Sequence, residues 1–491
     1  MNYFVTTSIA YVNASPHIGF AQELIMADVL ARNARIQKKS VILSTGTDEH
    51  GGKIAEKAEE NGKAPKAFTD EVSEQFRDLQ EKLNISNDRF IRTTDPGHEQ
   101  RAQIIWKNLQ KDIYKGEYEG WYCTGCEAYV TEAQAKENNG NCPDHNRPYE
   151  KLKEENYFFK LSAYTDKIKA AIEDDKFQIV PASRKHEIIN ILKDGLGDIS
   201  VSRPKDKIAW GVPVPDDETH VMYVWFEALM NYITVLGYPE HEDFAKFWPA
   251  NVQVIGKDIL RFHAAIWPGL LLALGLPLPE KLFVHGWILD ENGKKMSKSL
   301  GNVVTPADLL AEYDADVIRY YFLRHIPSYG DGNFSWQRLA DSYNNELANE
   351  LGNAVQRTQV MIQKYQGGII GDIPPSSHDV AQYNLAIENC RFDKALEEVW
   401  EQVRGLNQYI EEAKPWDIAK NKDEAHLKEV LAYQVSCLIQ IADLLEPFMP
   451  QTTMKIRQIF QEGVVRPGQE TLFPRKEANQ PNANDQAIRG A

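Results

Sequence analysis

The chain has 491 residues, 43% hydrophobic and 26% charged, the make-up of an ordinary globular protein that is too long for one core, so about two to four domains are expected. A net charge of −16 excludes a protein that grips nucleic acid with a uniformly basic surface, although a local basic site still acts within about a Debye length, roughly 8 Å. No basic segment followed by a long apolar run opens the chain, and its longest apolar stretch is broken by Pro268, Gly269 and Gly275, which argues against secretion and membrane spanning.

In chain order, "YFVTTSI" and "SVILSTGTD" read as short buried strands, each followed by a helical pattern, Ile18 to Ile36 and then Ile54 to Leu83 with a break near Gly62. This alternation predicts a parallel sheet whose ligand crevice lies at the carboxyl ends of its strands, where Tyr11, Asn13 and Asp48 fall. Within "NASPHIGFAQELIMADVL", apolar residues at Ile18, Ala21, Ile25 and Val29 keep helical spacing, which puts His17 in the first helical turn beside Gly19. Two readings fit: a capped surface helix, or a helix N-terminus where free N–H groups and the dipole hold an anion and Gly19 allows close approach.

From Glu117 to about Pro204 the pattern changes to a turn-rich insertion and then helices. It holds a CxxC, Cys123 and Cys126, and a CxxH, Cys142 and His145, two short chelating turns that together supply the four ligands tetrahedral Zn²⁺ favours. Four protein ligands leave no open position, so the metal's expected role is structural. The two distant cysteines, Cys390 and Cys437, sit on apolar helical faces and read as core.

The α/β pattern returns at "HVMYVWFEALMNYI" and "VQVIGKDILRFHAAIWP". In "DENGKKMSKSLGN", Lys295, Ser297, Lys298 and Ser299 lie on a loop bordered by Gly293 and Gly301. A lone charge run is usually a solvated turn. That reading weakens in a chain that also holds a histidine-glycine helix start and a parallel sheet, where the loop suits a clamp that closes on a polyphosphate as charge develops. From about Glu346 to Ile459 the period is almost wholly helical, which predicts an α-helical bundle, and residues 464–491, rich in Pro, Asn and Gln, read as a mostly disordered tail.

His17-Ile18-Gly19 followed by Lys295-Met296-Ser297-Lys298-Ser299 resembles the paired HIGH and KMSKS signatures of class I aminoacyl-tRNA synthetases, and "AYVNASPHIG", "TGTDEHG", "YVWFEALMNYI", "VIGKDILRFH" and "HGWILDENGKKMSKSLGN" are similar to the methionyl-tRNA synthetase family in particular. The likeness runs from about residue 3 to 460. It implies a Rossmann-like α/β parallel sheet split by a zinc-bearing insertion and followed by an all-α anticodon-binding helical bundle. The expected segments are 1–116 and 205–280 for the two halves of the catalytic domain, 117–204 for the insertion, 281–345 for the region bearing the basic loop, and 346–463 for the bundle. The implied activity is ligation: L-methionine reacts with ATP, carried with Mg²⁺, to give methionyl-adenylate and pyrophosphate, and the methionyl group passes to the 3′ end of tRNA(Met), initiator tRNA included.

The resemblance also implies roles at matching positions. His17 and Gly19 would contact ATP, Lys298 with Lys295 and Ser297 would stabilise the transferring phosphates, and Gly256 and Asp258 would hold the ATP ribose. Methionine would lie among Ile9, Tyr11, Asp48, Trp225, Ala228, Tyr232, Ile259 and His263. That set makes physical sense, since Asp48 can pair with the ammonium and aromatic rings suit a thioether, although each aromatic taken singly reads first as core and His263 reads equally as a satisfied core histidine. Asn353 and Arg357, at i, i+4 on one helix, and Trp416 would read the anticodon by hydrogen bonding and stacking; taken alone they read as a solvated polar pair and a packing residue.

Two positions depart from the family pattern. Phe20 stands where the second signature histidine belongs, and losing one such donor costs about 10²- to 10³-fold in rate, with Gln22 a candidate replacement. Glu227 stands where aspartate is expected. Many relatives carry a further β-barrel module for dimerisation and tRNA affinity; the sequence here holds none, so a monomeric, cytoplasmic enzyme with weaker general tRNA affinity is expected.

Overall fold

The β-branched and aromatic run behind "YFVTTSI" forms β1 (Asn2–Tyr11), and "SVILSTGTD" forms β2 (Ser40–Asp48), parallel to it. The computed structural model of the chain describes residues 1–123, 128–130, 132–143, 147–297, 300–375, 379–460, 463–466 and 471–476. They divide into two units, Met1–His285 and Gly286–Ala491.

The first unit also contains β3 (Arg89–Arg92), β4 (Ile113–Cys123), β5 (Ala128–Val130), β6 (Glu150–Phe159), β7 (Gln178–Val180), β8 (Ile199–Ser200), β9 (Ser202–Pro204), β10 (His220–Met222), β11 (Val252–Gly256) and β12 (Lys281–His285). A parallel sheet runs in the order β3-β2-β1-β11-β12-β7. Its central strands are buried on both faces, which explains their near-continuous apolar sequences. Helix α1 (Ile18–Ile36) packs across β1, β2 and β11.

Two strands of this sheet fall outside the segments expected for the catalytic halves. β12 lies beyond the expected boundary at 280, and β7, inside the stretch expected to be the insertion, returns to the sheet as an edge strand through Leu282↔Ile179. Burial explains this: Ile168, Ile172, Ile179, Ile188 and Leu192 share one core with Leu282 and Val284. What stands apart is an antiparallel sheet, β5-β4-β6-β8. β10 pairs antiparallel with β9 and does not join the parallel sheet.

In the second unit, Ile288–Leu289 pairs with Gly332–Asn333, and helices follow, among them Ala315–Arg324, Asn353–Gln366, Phe392–Ala413, Pro415–Lys420, Glu424–Leu445 and Pro450–Phe460. The bundle core holds Leu396, Val399, Trp400, Val403, Leu438 and Ile441, and it buries Cys390 and Cys437 as expected. The disordered tail expected from 464 is not what the described part of that segment shows. Val465 is buried and bonded to the Gly368 carbonyl, Phe473 packs edge-on against Tyr343, and the Lys476 ammonium lies 4.2 Å over the Tyr313 ring. These contacts anchor the described residues 463–466 and 471–476 although the composition of the segment is polar. No helix among the described residues is long and apolar enough to cross a membrane.

Candidate active site

His17 does not sit within the first turn of α1 but caps it, with extended backbone at φ −111° and ψ 164°. Its Nδ1 accepts from the Phe20 N–H at 3.1 Å, so the neutral ring carries its proton on Nε2. Gly19 leaves room for the capping ring, because a Cβ there would lie 3.1 Å from His17 Nδ1, a tight contact. Phe20 is buried and meets Phe76 edge to face at 5.4 Å, so position 20 belongs to the packing of α1. Gln22, weighed as a substitute donor, is 1% exposed and lies within α1's packing, not at its open end.

The carboxyl ends of the strands converge as expected. Ile9 is in register with Gly46 and Tyr11 with Asp48, after a register shift in β1 between Thr6 and Ile9. At the end of β11, Gly256 leaves room for the turn Lys257–Ile259: a Cβ on Gly256 would lie 2.8 Å from the Asp258 carboxylate, which is exposed.

Trp225 and Ala228 lie on the short helix Val224–Ala228, and the Trp225 ring stacks on Phe262 at 3.9 Å and 16°. Tyr232 donates to His263 Nε2 at 2.6 Å, and His263 Nδ1 lies 3.0 Å from the Ile259 carbonyl. Burial pushes His263 down to about 4, against smaller opposing effects of the Ile259 carbonyl, Glu23 and Asp258, so the ring is neutral. Burial, helped by Glu23, holds the Tyr232 hydroxyl well above its ordinary value. His263 lies in a π-helical segment, Phe262–Ile266, a local widening that often marks functional sites.

Several residues at this end of the sheet had no role assigned to them from the sequence. Phe262 was legible as an aromatic beside His263. Glu23 was hidden on an apolar helix; it is buried, accepts from the Ser8 N–H at 2.7 Å and meets His285 Nε2 at 2.9 Å. Glu49 follows Asp48 and takes a two-pronged contact from Arg92, with both N···O distances 2.7 Å. Glu227 is fully buried, with Oε1 2.8 Å from His50 Nδ1 and Oε2 2.8 Å from His98 Nε2.

Of the expected zinc ligands, Cys123 and Cys142 fall in one small buried cluster with Ala135 and Tyr149. Cys126 and His145 lie outside the described residues. Two thiols, a ligand type that Zn²⁺ favours, thus share one buried cluster.

In the second unit, Lys298 and Ser299 lie outside the described residues, while the Lys295 ammonium sits 4.2 Å over the Trp287 ring. The Ser297 N–H donates to Asn302, whose side-chain amide donates to Asp290. That bond, with the Lys294 and Asn292 N–H groups, holds the Asp290 carboxyl below its ordinary value. On the bundle, Arg357 lies 5.8 Å over the Trp416 ring and pairs with Glu411 at 2.7 Å, and Asn353 is exposed one turn earlier on the same helix.

A family model described as tRNA synthetases class I (M) matches residues 3–151 and 144–359, and one described as anticodon-binding domain of tRNA ligase matches 377–486. The chain is 46% identical over 471 residues to the methionine–tRNA ligase of Caldanaerobacter subterraneus subsp. tengcongensis, covering 92% of the chain and 73% of that protein. It is 40% identical over 502 residues to that of Thermotoga maritima, covering 96% and 79%. The solved structure of Mycobacterium tuberculosis methionyl-tRNA synthetase in complex with methionyl-adenylate superposes with a TM-score of 0.90 at 36% identity, covering 97% of this chain and all of that one. A parallel sheet with a capped His-Ile-Gly helix start, a basic Lys-Met-Ser loop, a helical bundle and these matches agree, and the chain belongs to the methionyl-tRNA synthetases of class I.

Proposed function

We propose that this chain activates L-methionine with ATP and transfers the methionyl group to tRNA(Met), initiator tRNA included. What supports this reading is a helix capped by His17 that follows β1, the register of Tyr11 with Asp48 at the carboxyl ends of β1 and β2, and the packing of Tyr11 and Trp225 on the core that holds Tyr232. Asp48 takes the substrate ammonium, and Ile9, Tyr11, Trp225, Ala228, Tyr232, Ile259 and His263 surround the thioether chain. A neutral, buried His263 that accepts from Tyr232 adds no charge to a pocket meant for an uncharged side chain.

The methionine carboxylate attacks the α-phosphorus of ATP, and pyrophosphate leaves. His17, Gly19, Lys295, Ser297 and Lys298 are assigned to the phosphates, where helix-end N–H groups and cations offset the developing charge, and Gly256 and Asp258 to the ribose. A terminal ribose hydroxyl of tRNA then attacks the carbonyl of the adenylate, and AMP leaves. Asn353, Arg357 and Trp416 read the anticodon. Mg²⁺ enters with ATP. Zn²⁺ would be held by Cys123, Cys126, Cys142 and His145 and would brace the insertion. The reading also carries a cytoplasmic location and a monomer, which fractionation and sedimentation test.

Pyrophosphate exchange into ATP tests the first step. Exchange stimulated by methionine and not by leucine or isoleucine, with charging of tRNA(Met), is expected. tRNA binding without exchange would instead indicate an RNA-binding relative that has lost the reaction.

A further inference from the structure

Glu227 occupies an unusual place for a carboxylate. It is fully buried, on the helix that carries Trp225 and Ala228, and each of its oxygens meets a different imidazole at 2.8 Å. His50 comes from the segment just after β2, two residues past Asp48; His98 comes from the helix Pro96–Asn108. The Nδ1 of His98 continues to Thr234 at 2.8 Å, on the helix Asn231–Thr234 that carries Tyr232. A single carboxylate thus joins the segment that bears Asp48 to both short helices that bear the aromatic side of the pocket.

The surroundings of His50 are acidic. Glu227 faces Nδ1, Glu99 from the helix Pro96–Asn108 lies 3.5 Å from Nε2, and the Asp48 carboxylate is close enough to favour the charged ring. The Trp210 ring also lies at 5.4 Å, and its indole N–H bonds the Glu49 carbonyl. Burial disfavours a charged His50, yet Glu227, Glu99 and Asp48 together push it up to about 10. Burial likewise opposes the charge on Glu227, but His50 and His98 hold its carboxyl below its ordinary value. Burial thus opposes both charges, and each partner favours the ionised form of the other.

An unpaired imidazolium beside Asp48 would repel the substrate ammonium. We propose that Glu227 is a positioning residue for methionine: it neutralises His50 and ties it to the Trp225 helix, so that Asp48 offers its negative charge to the ammonium without a competing cation. This deepens the reading of the site and rests on Asp48 as the ammonium partner.

Glu227→Gln keeps the shape and the hydrogen-bonding reach but removes the charge, leaving His50 to titrate nearer to neutral pH. In the unaltered enzyme the KM for methionine is expected to stay flat between pH 6 and 8.5. In Glu227→Gln it is expected to rise by about tenfold as pH falls from 8.5 to 6, with kcat and the KM for ATP changing much less, because the extra cation opposes only the ammonium. Adding His50→Gln removes the titrating ring and should restore a flat profile. A flat profile in Glu227→Gln, or a slope that survives in the double variant, overturns the proposal. If Glu227→Gln does not fold, ¹⁵N imidazole spectra of the unaltered protein decide the matter: His50 must be doubly protonated at pH 8, and a neutral ring there refutes it. Absence of methionine-dependent exchange in the unaltered enzyme would instead overturn the functional reading itself.

Discussion

Tyr232 donates its hydroxyl proton to His263 at 2.6 Å, and His263 is held at about 4 by burial. In the unfolded chain the same histidine titrates near 6.5. Its folded value is the lower one, so between the two the unfolded chain binds the extra proton and folding is penalised. The contribution of this group to stability is complete above about 6.5 and is lost as pH falls toward about 4. Urea unfolding at pH 7.5 and at pH 5 should therefore show a smaller loss of stability on acidification for His263→Asn than for the unaltered chain. Equal losses would mean that His263 is not held neutral.

Phe20 packs on Phe76, so restoring the family histidine there should not restore a phosphate contact. Phe20→His is expected to lower stability by about 1–3 kcal/mol, since an imidazole replaces a buried ring without a partner, and to leave kcat for exchange no higher. A tenfold gain in kcat would show that position 20 reaches the phosphates after all.

How much of this was legible before the fold was known depends on the kind of signal. The strands ending at Tyr11 and Asp48, and α1 starting after His17, follow from apolar periodicity and turn residues, which are local. Phe20 and Glu227 were visible only as departures from a pattern, because what each does is set by partners far away in sequence, Phe76 for one and His50 and His98 for the other. Glu23, three residues past Phe20, carries no signal of its own on an apolar helix, and only the placement of β12 brings His285 to it. β7 was assigned to the insertion because strands so short carry no periodicity of their own.

The shared burial of Cys123 and Cys142 bears on the insertion. The purified protein is expected to hold one Zn²⁺ per chain by atomic emission. Cys142→Ser should lower that content sharply and expose the β4-β5 edge to protease. Full metal content in the variant would place the ion elsewhere.

Lys298 and Lys295 are separable, because the Lys295 ammonium rests on Trp287. Lys298→Ala should slow adenylate formation by about 10²- to 10³-fold in pre-steady-state assays while methionine affinity stays nearly constant, the mark of a contact made in the transition state. A large loss of methionine affinity with little loss of rate would contradict that role.

Trp416 and Arg357 stand together on the bundle, the guanidinium 5.8 Å from the ring centre and tied to Glu411. An arginine already lying over an indole keeps that ring in place, and the ring is the surface on which a splayed base can stack. Stacking is worth about 1–3 kcal/mol per base, so Trp416→Ala should cut kcat/KM for tRNA(Met) charging by about ten- to a hundredfold. Because the bundle forms part of a unit separate from the one holding Asp48, methionine-dependent exchange in the absence of tRNA should stay at its original rate. The decisive comparison is charging against exchange in one preparation: an equal fall in both would point to misfolding, and unchanged charging would remove Trp416 from the tRNA surface.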